Sequence, residues 1–233
     1  MCKNINDIND LYEMLDEKVK LAAFDWMYKD RPPAPFIAQN ELPDENLVEF
    51  IESMDYPRPK KALELGCGEG RNAIYMAKQN IDVTAIDISQ IAIDNAKALA
   101  AEQNARVNFI AADIFMTSFA DLGQHDFVYD SGLLHHLAPH RRLSYLDLLD
   151  KALIPGGYFG LMCFAWGENC ADEVDDWEFY NGDFRAGVAF TEERLRELFC
   201  AKFEPIYIRK YKNGIPGTIQ GLGCMWVSLF RKI

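Results

Sequence analysis

No stretch of this chain is apolar for long: the longest nearly apolar run, Tyr158 to Trp166, falls far short of the ~20 residues that a membrane helix needs. The first residues, MCKNINDINDLYEM, lack the apolar core that would follow the basic end of a secretory leader. Positive charge is sparse as well. Lys and Arg total 24 against 36 Asp and Glu, for a net charge of −12, and basic residues gather only in pairs such as Lys60-Lys61 and Arg141-Arg142. A surface that tracks nucleic acid or anionic lipid needs a basic patch. The six cysteines, Cys2, Cys67, Cys163, Cys170, Cys200 and Cys224, have neither C-x-x-C spacing nor the Cys/His pattern of a zinc site, so reduced thiols and no metal are expected. These absences argue for a cytoplasmic protein, monomer or homodimer, whose partner is a small molecule and not a nucleic acid or a membrane.

What is present is a folding composition, 49% hydrophobic in 233 residues, enough for one domain with a modest elaboration. Asn4 to Phe24 carries Ile8, Leu11, Leu15 and Val19 at helical spacing and breaks at Pro32-Pro33-Ala34-Pro35. A second helix is expected over Glu45 to Met54, with Asp44 as its N-cap and Pro57 and Pro59 beyond it. Residues 1–57 therefore read as a helical lead-in or cover, and 58–233 as the main domain. From Lys61 onward, short β-rich runs alternate with amphipathic stretches: ALEL, a helix from Arg71, VTAID, a helix from Gln90 to Gln103, VNFIAA. Then come FVYDS, a helix around Arg141 to Ala152, YFGLMCF from Tyr158 to Phe164, and a helix behind Thr191. Such alternation builds a parallel sheet with helices on both faces. Two last strands, Glu204 to Lys210 and Met225 to Arg231, are joined by a glycine-rich connector, so the final strand is expected to run antiparallel.

The richest stretch is KKALELGCGEGRNAIYMA, a strand running into Gly66, Gly68 and Gly70 and then a helix. Glycines at such a turn permit positive φ and let a ligand approach bare backbone. Asp87 ends the next strand, about 20 residues on, where a carboxylate can accept from ribose hydroxyls. Asp113 ends the third. Carboxyl ends of neighbouring parallel strands are where open α/β sheets hold ligands, and these describe a nucleoside pocket. A dinucleotide fingerprint requires glycine at position 71, which is Arg71, and the Gly-Lys-Ser/Thr of a phosphate loop is absent. Glu64 would oppose a pyrophosphate and suit a cation such as an ammonium or a sulfonium.

The series Glu64-Leu65-Gly66-Cys67-Gly68-Glu69-Gly70, Asp87, Asp113 and Pro155-Gly156-Gly157 resembles the motifs of Rossmann-like (class I) S-adenosylmethionine-dependent methyltransferases, in order, over Lys60 to Phe164. The resemblance implies an α/β fold with a seven-stranded, mostly parallel sheet, S-adenosyl-L-methionine as cofactor, and a small-molecule methyl acceptor. It also implies Gly66, Cys67 and Gly68 at the methionine end, with Glu64 beside them as the cofactor-binding carboxylate that suits its cation, Asp87 on the ribose, Asp113 on the adenine amino group, and Ile88 and Ile114 on the adenine faces. A narrower likeness, Asp130, Gly132, Pro139, Arg142 and Tyr145 in YDSGLLHHLAPHRRLSY, is to the thiopurine and thiol or halide methyltransferases; His135 and His136 depart from that group's pattern. A nicotinamide-dependent oxidoreductase, or a binding module that keeps the pocket without turnover, are the alternatives.

Methyl transfer from a sulfonium needs in-line geometry and desolvation. A base is optional if the acceptor is a thiol or thiolate. For an oxygen or nitrogen nucleophile, His135 or His136 is the candidate base, and at most one of two adjacent helical residues faces a cleft. Asp130 is expected to support the methionine end, or less readily to act as a base. Residues 165–190, with Trp166, Trp177, Phe179, Tyr180 and Phe184 among Asp172, Glu173, Asp175 and Asp176, read either as a lid-like insertion that covers the pocket or as a solvated acidic excursion pinned by its aromatics. Trp26, Tyr28 and Arg31 are candidates to close the pocket from the other side. Arg142 and Tyr145 can equally bond helix to sheet.

Overall fold

The structure, a computed structural model, describes residues 5, 7–19, 25–29, 39, 41–117, 122–167, 171, 174–182 and 187–233. The expected alternation is there. Helices α1 (Ile8–Val19), α2 (Asp25–Lys29) and α3 (Glu45–Glu52) precede β1 (Lys61–Leu65), α4 (Arg71–Lys78), β2 (Asp82–Asp87), α5 (Gln90–Glu102) and β3 (Asn108–Ala111). Then follow β4 (His125–Ser131), a 3-10 turn over Leu134–His136, α6 (Pro139–Ala152), β5 (Leu153–Phe164), α7 (Asp176–Phe179), α8 (Glu192–Phe199), β6 (Phe203–Lys210) and β7 (Met225–Lys232).

All seven strands form one sheet in the order β3-β2-β1-β4-β5-β7-β6. β1 through β5 pair in parallel, and β7 runs antiparallel to both β5 and β6. Side chains alternate between the two cores as a strand period of two demands. On β1, Ala62 joins the layer with Leu47, Phe50 and Ile74, while Leu63 and Leu65 join the layer with Leu148, Phe159 and Phe199. On β4, Phe127 and Tyr129 face the first layer and Val128 the second. Both faces are therefore covered, and the strand order reverses between β1 and β4. A crevice opens at such a reversal.

Three expectations need correction. β5 begins at Leu153, five residues before the expected Tyr158, because an irregularity lets Leu153 pair with His125 and Tyr158 with Phe127, absorbing Pro155-Gly156-Gly157 into the strand. α3 ends at Glu52, where Ser53 turns extended. Cys224 is disulfide-bonded, whereas Cys67, Cys163 and Cys200 are thiols; oxidation follows spatial proximity, which cysteine spacing does not report. Among the described residues no helix is long and apolar enough to cross a membrane.

Candidate functional site

Glu64 lies on β1, a central strand, and is 1% exposed. Its Oε2 has no hydrogen-bond partner among the described residues, and burial pushes its pKa up to about 8 in spite of the nearby Arg71 charge. The loop that follows turns through Gly66, Gly68 and Gly70, all at positive φ. Cys67 N–H donates to the Ile86 carbonyl at 3.0 Å and Gly70 N–H to the Cys67 carbonyl at 2.9 Å, so the loop is tied to the end of β2. Asp87, at that end, accepts from Gly68 N–H at 2.8 Å and from Ser89 N–H at 2.9 Å. Burial raises the Asp87 pKa, and those two N–H groups work against the rise. A carboxylate has about four acceptor sites, so two backbone bonds leave room for further donors.

Beyond β3, Asp113 Oδ1 accepts from Phe115 N–H at 2.8 Å. Ile114 is buried and Ile88 is 60% exposed. The structure thus brings Glu64, the glycine loop, Asp87 and Asp113 to one edge, at the carboxyl ends of β1, β2 and β3.

Arg71, which stands where a dinucleotide loop has glycine, is a clamp. Its Nη1 donates to Asp44 Oδ1 at 2.6 Å and its Nη2 to Ser131 Oγ at 2.9 Å. Asp44 Oδ2 also accepts from Asn72, Tyr129 and Ser131. Asp44 does sit at the N-cap of α3, yet its side chain makes no cap bond; its oxygens are turned into this buried network instead. Sequence reading missed Asp44, Asn72 and Ser131 as a group. The one available signal was a polar pair, Arg71-Asn72, opening a helix whose first turn has to be buried.

Asp130 is fully buried at the end of β4. Oδ1 accepts from Leu133 N–H at 2.6 Å; Oδ2 accepts from Leu134 N–H at 3.0 Å and from the Tyr145 hydroxyl at 2.6 Å. Burial pushes Asp130 up to about 6 against those three donors. Tyr145 is therefore a helix-to-sheet bond. His135 and His136 occupy the 3-10 turn beyond, His135 buried and His136 half-buried.

Two further elements make contacts at this end of the sheet. Tyr28 of α2 lies over the loop: a Cβ on Gly68 would stand 3.0 Å from its hydroxyl oxygen. Burial, with the charge of Asp87, raises the phenol's pKa well above its usual value. α2 is held by Ser89 Oγ, which donates to Asp25 at 2.5 Å. From the other side, the insertion after β5 is pinned at its neck, where Trp166 N–H donates to the Phe190 carbonyl at 3.0 Å. Its helix α7 is held by Arg142, bonded to Asp176 at 2.6 Å, and by His140 on the Tyr180 hydroxyl at 3.0 Å. The Trp26 side chain, Arg31, Asp172, Glu173 and Phe184 lie outside the described residues.

Residues 62–157 match the family profile described as a methyltransferase domain. An uncharacterized methyltransferase of Synechocystis is 30% identical over 112 residues, 48% of this chain and 50% of that one. A 2-heptyl-1-hydroxyquinolin-4(1H)-one methyltransferase of Mycobacteroides abscessus is 32% identical over 103 residues, 44% of this chain and 45% of that one. The chain thus spans about half the length of the curated relatives it matches. Among solved structures, the 1,6-didemethyltoxoflavin-N1-methyltransferase of Burkholderia thailandensis, with its substrate and S-adenosylhomocysteine bound, superposes with a TM-score of 0.65 at 23% identity. That likeness covers 100% of this chain and 93% of the other. Sheet order and family match agree: residues 62–157 match a methyltransferase domain, and the seven-stranded sheet has the fold of that methyltransferase structure.

Proposed function

We propose that the whole protein transfers a methyl group from S-adenosylmethionine to a small soluble acceptor. The observation that carries this reading is Glu64 Oε2, a buried carboxylate oxygen without a partner among the described residues, two residues before Gly66 of a glycine loop in which Arg71 stands where a dinucleotide fingerprint has its last glycine. An isolated buried acceptor is costly, and the ammonium of a methionine moiety would relieve it. A pyrophosphate would add to the cost.

The residues fit the cofactor in kind. Glu64 would hold the ammonium, the backbone of Gly66, Cys67 and Gly68 would line the methionine chain, and Asp87 would use its remaining acceptor sites for ribose hydroxyls. Asp113 would take the adenine amino group, with Ile88 and Ile114 on the ring faces, and Asp130 would brace the turn that closes the methionine end. When bound, S-adenosylmethionine supplies a methyl carbon on an electron-poor sulfonium. The chain's part is to orient the acceptor in line and to exclude water, for which Tyr28 and the 165–190 insertion are the candidate covers. Residues 1–57 act as cover and not as a separate domain.

A small acceptor is supported by the net charge of −12 and by the aromatic insertion; the relatives' printed substrates, a hydroxyquinolone and a didemethyltoxoflavin, are small heterocycles. The thiopurine-like spacing at Asp130, Gly132, Pro139, Arg142 and Tyr145 extends the reading toward soft nucleophiles. The test is calorimetric titration with S-adenosylhomocysteine, with NAD as control. Heat from the first alone supports the proposal, and heat from NAD alone would overturn it.

A further inference from the structure

The two adjacent histidines after β4 are joined to each other. Their Nε2 atoms lie 3.0 Å apart, so one must donate and the other accept. The direction follows from His135, whose Nδ1 lies 3.3 Å from the Phe164 backbone nitrogen. That N–H can only donate, so His135 Nδ1 carries a lone pair. A neutral imidazole has one N–H, and here it is on Nε2. His135 Nε2–H therefore donates to His136 Nε2, and His136 in turn holds its own proton on Nδ1.

The His135 ring has no freedom to flip out of this arrangement. It stacks on Phe164 with centroids 4.0 Å apart and planes 20° apart. A Cβ added at Gly132 or Gly187 would stand 3.2 or 2.8 Å from its ring atoms, and its carbonyl accepts from Val188 N–H at 2.9 Å. Both glycines have positive φ, so the backbone on either side is shaped around the imidazole. Burial, reinforced by the His136 ring, holds the His135 pKa well below the usual imidazole range, which removes the doubly protonated form that would break the direction of the pair.

Among the described residues, three further titratable groups at this end of the sheet are committed too. Asp130 has its oxygens on Leu133, Leu134 and Tyr145. Cys163 is a buried thiol with a raised pKa, chiefly from burial and then from Asp130. Glu64 faces the cofactor's ammonium in the reading above. From this we infer that the His135–His136 pair is a one-way donor relay and not a general base, and that the acceptor belongs to the class that attacks with a lone pair already available, a thiolate or an unprotonated heteroaromatic nitrogen. The inference rests on the proposed methyl transfer for its chemistry. The nucleophile's lone pair forms the bond to the methyl carbon as the carbon–sulfur bond breaks and its electron pair returns to sulfur. No proton moves in that step. With a thiolate the charges cancel; with a neutral ring nitrogen the positive charge passes to the product. His135 is a positioning residue here, fixing the side of His136 that bears hydrogen.

Long-range proton–nitrogen correlation on protein labelled with 15N-histidine tests the relay directly, because the chain has only four histidines and the two forms of a neutral imidazole give distinct nitrogen shifts. With S-adenosylhomocysteine present at pH 7, His135 is expected as the Nε2–H form and His136 as the Nδ1–H form, assigned by loss of signal in His136→Asn. His136 found as Nε2–H, or with both nitrogens protonated, would overturn the relay. The reading needs no acceptor and no turnover, so its failure is separable from failure of the methyltransferase proposal, which appears as absence of S-adenosylhomocysteine heat. For the acceptor class, thiophenol and 4-nitrothiophenol are compared with phenol and benzyl alcohol as probe acceptors. Turnover of the thiols with a pH profile that follows each thiol's own ionisation supports the inference. Turnover of phenol or benzyl alcohol in preference to the thiols would overturn it.

Discussion

Arg71 Nη1 donates to Asp44 Oδ1 at 2.6 Å, with the Arg71 side chain 9% exposed and the Asp44 side chain at 0%. The pair ties the start of α4, and with it the glycine loop, to the start of α3. Ser131 at the end of β4 joins through both partners. Removing one member of a buried ion pair leaves an uncompensated charge, a loss of about 3 to 5 kcal/mol. Asp44→Asn is expected to lower stability by that order in chemical denaturation, with S-adenosylhomocysteine affinity falling in parallel as the loop loosens. Pairing it with Arg71→Met should recover part of the loss. A double variant as unstable as the sum of the two single ones would mean that the residues do not act as a pair.

Gly70 is the N-cap of α4 at φ +81°, in the left-handed region. A Cβ there would stand 2.8 Å from the Phe109 ring and 3.0 Å from the Ala96 Cβ. Backbone strain and overpacking then act together. Gly70→Ala is expected to cost about 2 to 4 kcal/mol, read as a lowered denaturation midpoint. A variant within 0.5 kcal/mol of the parent, roughly the range of neutral surface changes, would show that α5 and β3 give way more easily than their packing implies.

The glycine loop, Asp87, Asp113 and the strand alternation were legible because each depends on neighbours within one β-α unit, where periodicity and turn chemistry are local. Asp44 was legible only as a cap, since its partners lie 27 or more residues away and nothing in a cap motif names them. For the same reason Arg71 read as a missing glycine and not as the partner of a buried carboxylate. The Pro155-Gly156-Gly157 step has the composition of a turn, yet pairing with β4 carries the strand through it. Tyr145 was read with two possible roles, and only the fold chose Asp130 for its hydroxyl.

His125, at the far end of β4, is fully buried, and neither ring nitrogen has a partner among the described residues. Burial, then the charge of Lys61, lowers its pKa from 6.5 to about 4. The unfolded chain takes up a proton first as pH falls, so stability present above pH 6.5 is lost progressively toward pH 4. At about 1.4 kcal/mol per pKa unit, the loss approaches roughly 3 kcal/mol. His125→Leu should flatten the stability profile between those limits while other carboxylate effects persist. An unchanged slope would place the acid sensitivity elsewhere.

Glu64 carries the sharpest linkage. Its pKa of about 8 in the unliganded protein means that at pH 7 the carboxyl is mostly protonated, a state an ammonium ligand opposes. Binding of S-adenosylhomocysteine through its ammonium is therefore expected to lower the Glu64 pKa and release close to one proton per site near pH 6 to 7. Affinity should rise with pH, by up to about tenfold per unit below pH 8, and then level off. Calorimetry in phosphate and in Tris at the same pH reads the released proton as a difference in observed heat. Glu64→Gln keeps the shape and removes the titration, so it should abolish that difference while weakening binding. S-adenosylhomocysteine without its amino group should bind the parent protein with no proton release, which separates the ammonium's effect from that of general closure. Equal heats in the two buffers with the intact ligand would remove Glu64 from the ammonium and leave its orphaned oxygen to be satisfied by some other donor.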